Sequence, residues 1–323
     1  MDSRQATKLT RLQEGPVHRL PRIVSLAFLI SACAATNLWS QQLQPHAIPS
    51  QRTESYRFAS PVMGRNYDIT VGLPESYADS VGKRYPMLLV TDGDDYFPLV
   101  FNAANTVNGI DEVIVVSVGA PFEEGRDAFT RRRVHEFSPP NWTMNDPFGQ
   151  YVLTGCKAWK LAIGDCVGGA PKFLGMIVDE LLPRVSAKYR IDKDRLGLFG
   201  VSAGGFFASW AIFQDKSPFH TYIISSPAMA YGDGDALRQE AHYAESHKDL
   251  AARIYLSSGT LEIDDPQLEG IGHIVSGTAR LSAALRGRKY PGLTMFSESL
   301  QGLGHTDAPS TAAVRGMRLL YAK

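Results

Sequence analysis

The chain has 323 residues, with 33 basic and 33 acidic side chains, 44% hydrophobic and 10% aromatic residues. These fractions lie near the soluble globular average and exclude a disordered, collagenous or multi-span membrane protein, while the length fits either two domains or one large α/β domain. A formal net charge of zero offers no basic excess for releasing counterions from a polyanion, so nucleic acid is not expected as a partner.

The N-terminal stretch differs in kind from the rest. Basic residues Arg4, Lys8, Arg11, Arg19 and Arg22 precede an uninterrupted apolar and small-residue run over 23–32. A run of about ten residues is too short to span a bilayer, but it fits the core of a secretory signal over 1–32. Ile30-Ser31-Ala32-Cys33 resembles a lipobox, which makes Cys33 a candidate lipidation site; Ala32-Cys33-Ala34 equally fits a signal-peptidase site that releases a soluble product. The expectation is an exported protein, periplasmic or in the cell envelope, touching membrane only through an N-terminal lipid anchor. Residues 33–53, with their Gln, Pro and Ser, read as a linker, and 54–323 as one α/β domain.

Within that domain, residues 67–71 alternate as a half-buried strand, whereas 87–90 and 113–118 are continuous apolar runs suited to strands buried on both faces. Residues 131–170 break the rhythm with Pro, Gly, Asn and Trp and read as an insertion over the working edge of the sheet. Phe173, Ile177, Leu181 and Val185 recur every fourth residue, predicting a helix to about residue 189 with a kink at Pro183. There follow a strand over 195–201, a helix over 206–213, strands over 220–225 and 253–257, a helix over 271–285, a strand over 293–297 and a helix over 312–321. Alternating strands and helices predict a mostly parallel central sheet with helices on both faces.

Setting Cys33 aside leaves Cys156 and Cys166, both in the loop-like insertion and near enough in sequence to form a disulfide in an oxidising compartment. No histidine stands at zinc-ligand spacing from them, so no metal is expected.

The chemistry concentrates at Gly200-Val201-Ser202-Ala203-Gly204, a G-x-S-x-G between a predicted strand and a predicted helix. A serine hydroxyl titrates far above neutrality and must be presented to a base; a sharp strand-to-helix turn does this, and the helix N-terminus faces developing negative charge. Ser202 is therefore the candidate nucleophile. Its base should follow it in the chain, and His305, in the flexible Gly302-Leu303-Gly304-His305-Thr306 between the last strand and the last helix, is better placed than His220, His242, His247 or His273. The acid is expected after the 253–257 strand, where Glu262 stands nearest, with Asp264 and Asp265 as alternatives. For the oxyanion, the backbone N–H of Ala203 and an N–H from the loop after the 87–90 strand, assigned to Asp94, are the candidate donors. Clustered Asp92, Asp94 and Asp95 lack EF-hand spacing and read as turn-forming or pocket residues.

These residues together resemble the putative-esterase branch of the α/β-hydrolases, which includes esterase D and the enterochelin esterases. The resemblance is carried by Leu73-Pro74-Glu75-Ser76-Tyr77, by Tyr85-Pro86-Met87-Leu88-Leu89-Val90-Thr91-Asp92-Gly93-Asp94-Asp95-Tyr96-Phe97, and by Arg133-Val134-His135-Glu136-Phe137-Ser138-Pro139. It continues in Glu180-Leu181-Leu182-Pro183, Tyr189-Arg190-Ile191-Asp192, the elbow with its extra Gly205, and Gly259-Thr260-Leu261-Glu262. It implies an α/β-hydrolase fold and a serine esterase without a cofactor, with Ser202 as nucleophile, His305 as base, Glu262 as acid, and Asp94 with Ala203 as oxyanion donors. The expected partner is a small-molecule ester, with siderophore trilactones as one class; an acyltransferase using the same triad, or a non-catalytic envelope lipoprotein, are the alternatives. Val201 stands where members of the branch commonly have histidine, and the insertion has no counterpart in them. Arg133, Tyr96 and Trp142 are candidate substrate contacts, Arg133 for an anionic catecholate and the aromatics for an acyl or aryl group.

Overall fold

Residues 52–323 are described by the computed structural model; the expected signal over 1–32, Cys33 and nearly all of the expected linker lie outside the described residues. The strands are β1 (Thr53–Ser60), β2 (Arg65–Gly72), β3 (Tyr85–Val90), β4 (Ile114–Gly119), β5 (Ile191–Val201), β6 (Thr221–Ser225), β7 (Ala252–Gly259) and β8 (Leu293–Leu300). They form one eight-stranded sheet in the order β1-β2-β4-β3-β5-β6-β7-β8. β1 and β2 pair antiparallel, as do β2 and β4, and every pairing from β4 through β3 to β8 is parallel.

Ten helices accompany the strands among the described residues: α1 (Gly93–Thr106), α2 (Gly125–Phe137), α3 (Pro147–Ala158), α4 (Ile163–Cys166), α5 (Ala170–Gly175), α6 (Leu182–Lys188), α7 (Ala203–Ala211), α8 (Asp235–Ser246), α9 (Ile274–Arg288) and α10 (Ala308–Leu320). Side-chain alternation along β3 sorts them into layers. Leu88 and Val90 join a core with Val100 of α1 and Met317 of α10. Met87 and Leu89 join the opposite core with Phe137 of α2, Phe173 of α5, Phe207 of α7 and Leu281 of α9. β3, β4 and β6 are buried along their whole length, which is why they read as unbroken apolar runs.

Several elements depart from the sequence expectation. β1 lies at the sheet edge with most of its residues exposed, so it carries no apolar alternation to find. The helix predicted across 173–189 is two α-helical pieces, α5 and α6, joined by a π-helical turn, Met176–Leu181. Leu182 donates its N–H five residues back to Ile177, so the chain widens immediately before Pro183, which has no N–H to give. The predicted insertion is helical: its first residues complete α2, and α3 and α4 follow. Cys156 lies in the last turn of α3 and Cys166 ends α4, so the cysteines sit on helices and not in a loop.

Candidate active site

The carboxyl ends of β5, β6, β7 and β8 meet at one edge of the sheet, the usual location for chemistry in parallel α/β architectures. β5 ends at Val201 and α7 begins at Ala203, leaving Ser202 alone in the turn. Its φ of 57° and ψ of −117° are costly for a residue with a side chain and persist only where surrounding structure enforces them. The enforcement is visible. The Ser202 N–H donates to the Ser225 carbonyl at 3.1 Å, and the Ser202 carbonyl accepts from Phe206 and Ala228, both at 2.9 Å. A Cβ on Gly200 would collide with the Gly204 carbonyl, so the turn requires glycine there. No side chain caps α7, and the N–H groups of its first turn face outward from the elbow as orphans of the helix terminus.

The acid is placed by a helix-start motif. β7 runs to Gly259, and Glu262 stands third in the 3₁₀ turn Thr260–Asp264 that follows. Its Oε2 reaches back to accept the Gly259 N–H at 2.7 Å, the reciprocal half of a capping box. The same oxygen accepts from Ser226 Oγ at 3.0 Å, and the other, Oε1, lies 2.5 Å from His305 Nδ1. Glu262 is 0% exposed, whereas the His305 side chain keeps 24% of its surface open. With Nδ1–H directed at the carboxylate, Nε2 is left as the proton acceptor.

The loop carrying His305 is held against the acid turn by backbone contacts. Leu261 N–H donates to the Leu303 carbonyl at 3.0 Å, and Gly302 N–H to Thr260 Oγ1 at 2.9 Å. A Cβ on Gly259 would strike the Leu303 carbonyl, so the two segments approach to backbone contact only through glycine. Ser202 thus binds Ser225, and the next residue, Ser226, binds the glutamate that binds His305. The hydrogen bond His305 makes among the described residues is to Glu262, and a serine–histidine contact commonly tightens only around bound substrate. Asp264 and Asp265 are not part of this cluster: Asp265 caps the turn after it, accepting from Gln267 and Leu268.

On the other side of the elbow, Asp92 precedes α1 with a φ of 52°. Asp95 and Tyr96 donate to the Asp92 carbonyl, which leaves Gly93 and Asp94 with the orphan N–H groups of α1. The Asp94 carboxylate itself turns to the end of β4 and accepts the N–H of Ala120, the residue after it, at 3.2 Å. Burial pushes its pKa up to about 6, partly opposed by that hydrogen bond. Asp92 is 3% exposed. Burial raises its pKa too, against the attraction of Arg133, whose Nε lies 2.7 Å from Oδ1.

The candidate substrate contacts divide. The Arg133 side chain is 23% exposed and ion-paired with Asp92, so it is not a free cation awaiting an anionic substrate. Its neighbours are committed as well, Arg131 to Asp127 and Arg132 to Glu124 and the Asn66 carbonyl. Trp142 is 6% exposed, donates Nε1–H to Asp146, and packs among Phe148 and Tyr231; it builds the insertion rather than an open pocket wall. Tyr96 is half-buried against Phe199, with burial pushing its hydroxyl up to about 12. Cys156 and Cys166 are joined as a disulfide with Cα atoms 5.8 Å apart. Tyr151 of α3 accepts from Gln267 beyond the acid turn, tying the insertion to the same edge. Ser226 escaped sequence reasoning as a site residue, the Ser225-Ser226-Pro227 run at the end of β6 being its one signal, and the turn or pocket reading of Asp92 did not foresee its pairing with Arg133.

Comparison with known proteins bears on this geometry. Residues 60–139 match the family described as "Putative esterase", and residues 181–253 match the prolyl oligopeptidase family. The chain is 25% identical over 218 residues to the ferri-bacillibactin esterase BesA of Bacillus subtilis, covering 65% of this chain and 71% of the relative. It is 26% identical over 234 residues to a siderophore triacetylfusarinine C esterase of Aspergillus fumigatus, covering 69% and 73%. The crystal structure of the BES protein from Bacillus cereus superposes with a TM-score of 0.70 at 26% identity, covering 86% of this chain and 98% of that one. The expected resemblance to the esterase D and enterochelin-esterase branch is borne out, and the fold is that of the α/β-hydrolases.

Proposed function

From an α/β-hydrolase fold akin to the esterase D and enterochelin-esterase branch, we propose that this chain is an exported serine esterase that cleaves carboxylic esters of siderophore type through an acyl-enzyme. The observation that carries the reading is the buried Glu262 carboxylate 2.5 Å from His305 Nδ1, beside a serine fixed in a strand-to-helix elbow.

In the first step, His305 Nε2 takes the Ser202 hydroxyl proton as Oγ attacks the ester carbonyl carbon. Glu262 holds the imidazole in the tautomer that leaves Nε2 free, and its charge stabilises the imidazolium that forms. Negative charge developing on the carbonyl oxygen meets the N–H of Ala203 and an N–H of the first turn of α1, at Gly93 or Asp94. The leaving alkoxide collects the proton from His305. Water, activated by the same histidine, then attacks the acyl-serine and regenerates the hydroxyl.

The names of the relatives support a siderophore ester as substrate, and the signal-like sequence supports export, with Cys33 as the lipid anchor or lost with the signal. The first experiment treats the protein with a fluorophosphonate probe and locates the adduct by mass spectrometry. Labelling at Ser202, abolished in S202A and strongly slowed in H305A, is the expected result. Folded protein that does not label would overturn the reading. Hydrolysis of a tricatecholate trilactone, followed by chromatography of the released acids, then tests the substrate class.

A further inference from the structure

Two helix N-termini, those of α1 and α7, point at the place where the oxyanion forms, and a buried carboxylate lies between them. Asp92 Oδ1 is held by Arg133, but Oδ2 is buried without a hydrogen-bond partner among the described residues. That oxygen faces the first turn of α7: a Cβ on Gly204 would lie 3.1 Å from it. An ionised carboxylate here cancels part of the positive potential that both helix ends offer a developing oxyanion. Water cannot screen it, so the compensation has to come from the protein.

We propose that Arg133 is a positioning residue for catalysis: its guanidinium neutralises Asp92 beneath the oxyanion site, so that the N-termini of α1 and α7 act on the substrate at full strength. This rests on the serine-esterase reading above. It also gives Arg133 a role that needs no contact with the substrate. The guanidinium is fixed for it, lying 5.4 and 5.9 Å from the ring centres of Phe129 and Phe137 on its own helix.

The charges facing Asp92 define what removal of Arg133 does. From α2 they are Arg133 and, more distantly, Arg126; from α1, Asp94, Asp95 and the Tyr96 hydroxyl; from the segment after β6, the Tyr231 hydroxyl. Arg132 and Glu136 of α2 and Tyr67 of β2 line the same small cavity, with Arg132 drawn off to Glu124 and Glu136 shared by Tyr67 and Arg65. Among the described residues no second cation is bonded to Asp92. Without Arg133, Asp92 is neutral at low pH and an uncompensated anion at high pH, so the catalytic defect grows as the pH rises.

The test compares wild type, R133M, R133K and the double variant D92N/R133M by the rate of fluorophosphonate labelling at Ser202 from pH 5.5 to 9, each rate divided by that of wild type at the same pH. R133M is expected to fall about 10²-fold at pH 9, on the scale of losing an oxyanion donor, and to recover most of that loss at pH 5.5. D92N/R133M is expected to return to within about fivefold of wild type with a flat ratio, and R133K, which keeps the cation, to show a flat ratio as well. A pH-independent loss in R133M that D92N does not rescue, or a pH-dependent loss in R133K, overturns the proposal. R133K and the double variant carry the test if R133M does not fold. Wild type that fails to label would instead defeat the esterase reading, which keeps the two failures apart.

Discussion

The two flanks of the Ser202 elbow are held by different physics. On the β6–β8 flank, Glu262 and His305 are set by short-range backbone contacts: a capping N–H from Gly259, a hydroxyl from Ser226, and glycine-permitted packing of the Leu303 carbonyl on the acid turn. On the β3–β4 flank, the loop opening α1 is set by buried charge, with Asp92 paired to an arginine 41 residues away in sequence. The first flank can be substituted around its buried charge, Glu262, because losing one partner leaves the carboxylate hydrogen-bonded by the others among Gly259, Ser226 and His305. The second cannot, because removing one partner of a buried pair leaves the other uncompensated. Mutations on the first flank should therefore change chemistry at nearly constant stability, and mutations on the second should change both.

The sharpest break of that comparison is at its centre. S202A should lower ester hydrolysis at least about 10⁴-fold, because members of a triad act as a unit and the residual rate comes from oxyanion stabilisation and binding. Its melting temperature should stay within about 3 °C of wild type, since alanine keeps the Cβ and with it the backbone geometry of the elbow. Initial-rate assays with p-nitrophenyl acetate and a thermal melt check both, and retention of more than a hundredth of the activity would remove Ser202 from the mechanism.

Next in size is E262Q. The amide keeps an acceptor oxygen for Ser226 and Gly259 but cannot stabilise the imidazolium, so kcat should fall about 10³-fold with KM changed little. D264N and D265N should stay within about twofold of wild type in the same steady-state assay, which sharpens the choice of acid. A loss in D264N that matches E262Q would move the assignment.

How much of this was legible in the sequence follows the same division. Ser202, His305 and Glu262 could be read because each stands in a short local signal at the end of a recognisable strand: a glycine-flanked elbow, a glycine-flanked loop and a G-x-x-E turn. The parallel strands could be read because β3, β4 and β6 are apolar throughout. α1 was hidden by Asp94, Asp95 and Pro98 in its first turns, which mimic a loop although acids and proline suit a helix start. The Asp92–Arg133 pair was hidden because nothing in a linear chain marks which arginine of three meets which of three aspartates. Arg133 reads as a contact for an anionic substrate because it belongs to a run of arginines, whereas the fold commits its charge to Asp92.

The insertion tests whether the flank nearest it depends on a distant clamp. The C156S/C166S double variant opens the link between α3 and α4, and the lost constraint on the unfolded chain amounts to about 2–3 kcal/mol, or roughly 4–12 °C in melting temperature for a domain of this size. Activity at 25 °C should fall less than about threefold, because the Glu262–His305 pair is held by its own turns. Melting with and without reductant gives the first number, and a matching shift in reduced wild type shows that the bond and not the serines is responsible.

The smallest expected effect is at Asp94, and it separates a charge that serves stability from one that does not. Its folded pKa of about 6 lies above the ordinary value of 3.8, first because of burial and then because of Asp92, Asp95 and Asp68 nearby. Between those two values the folded protein holds a proton that the unfolded chain has released, so stability falls as the pH rises through this window. Above about pH 6 the full penalty is in place; below about pH 4 it is absent. D94N cannot ionise, and its amide oxygen can still accept the Ala120 N–H, so it should gain on wild type as the pH rises. Because Asp94 is exposed on one side, screening holds the gain to less than about 1 kcal/mol. Urea unfolding of both proteins at pH 4.5 and pH 8 measures it: the stability difference should be larger at pH 8, and an equal difference at the two values would mean that Asp94 ionises on β4 as freely as it does in the unfolded chain.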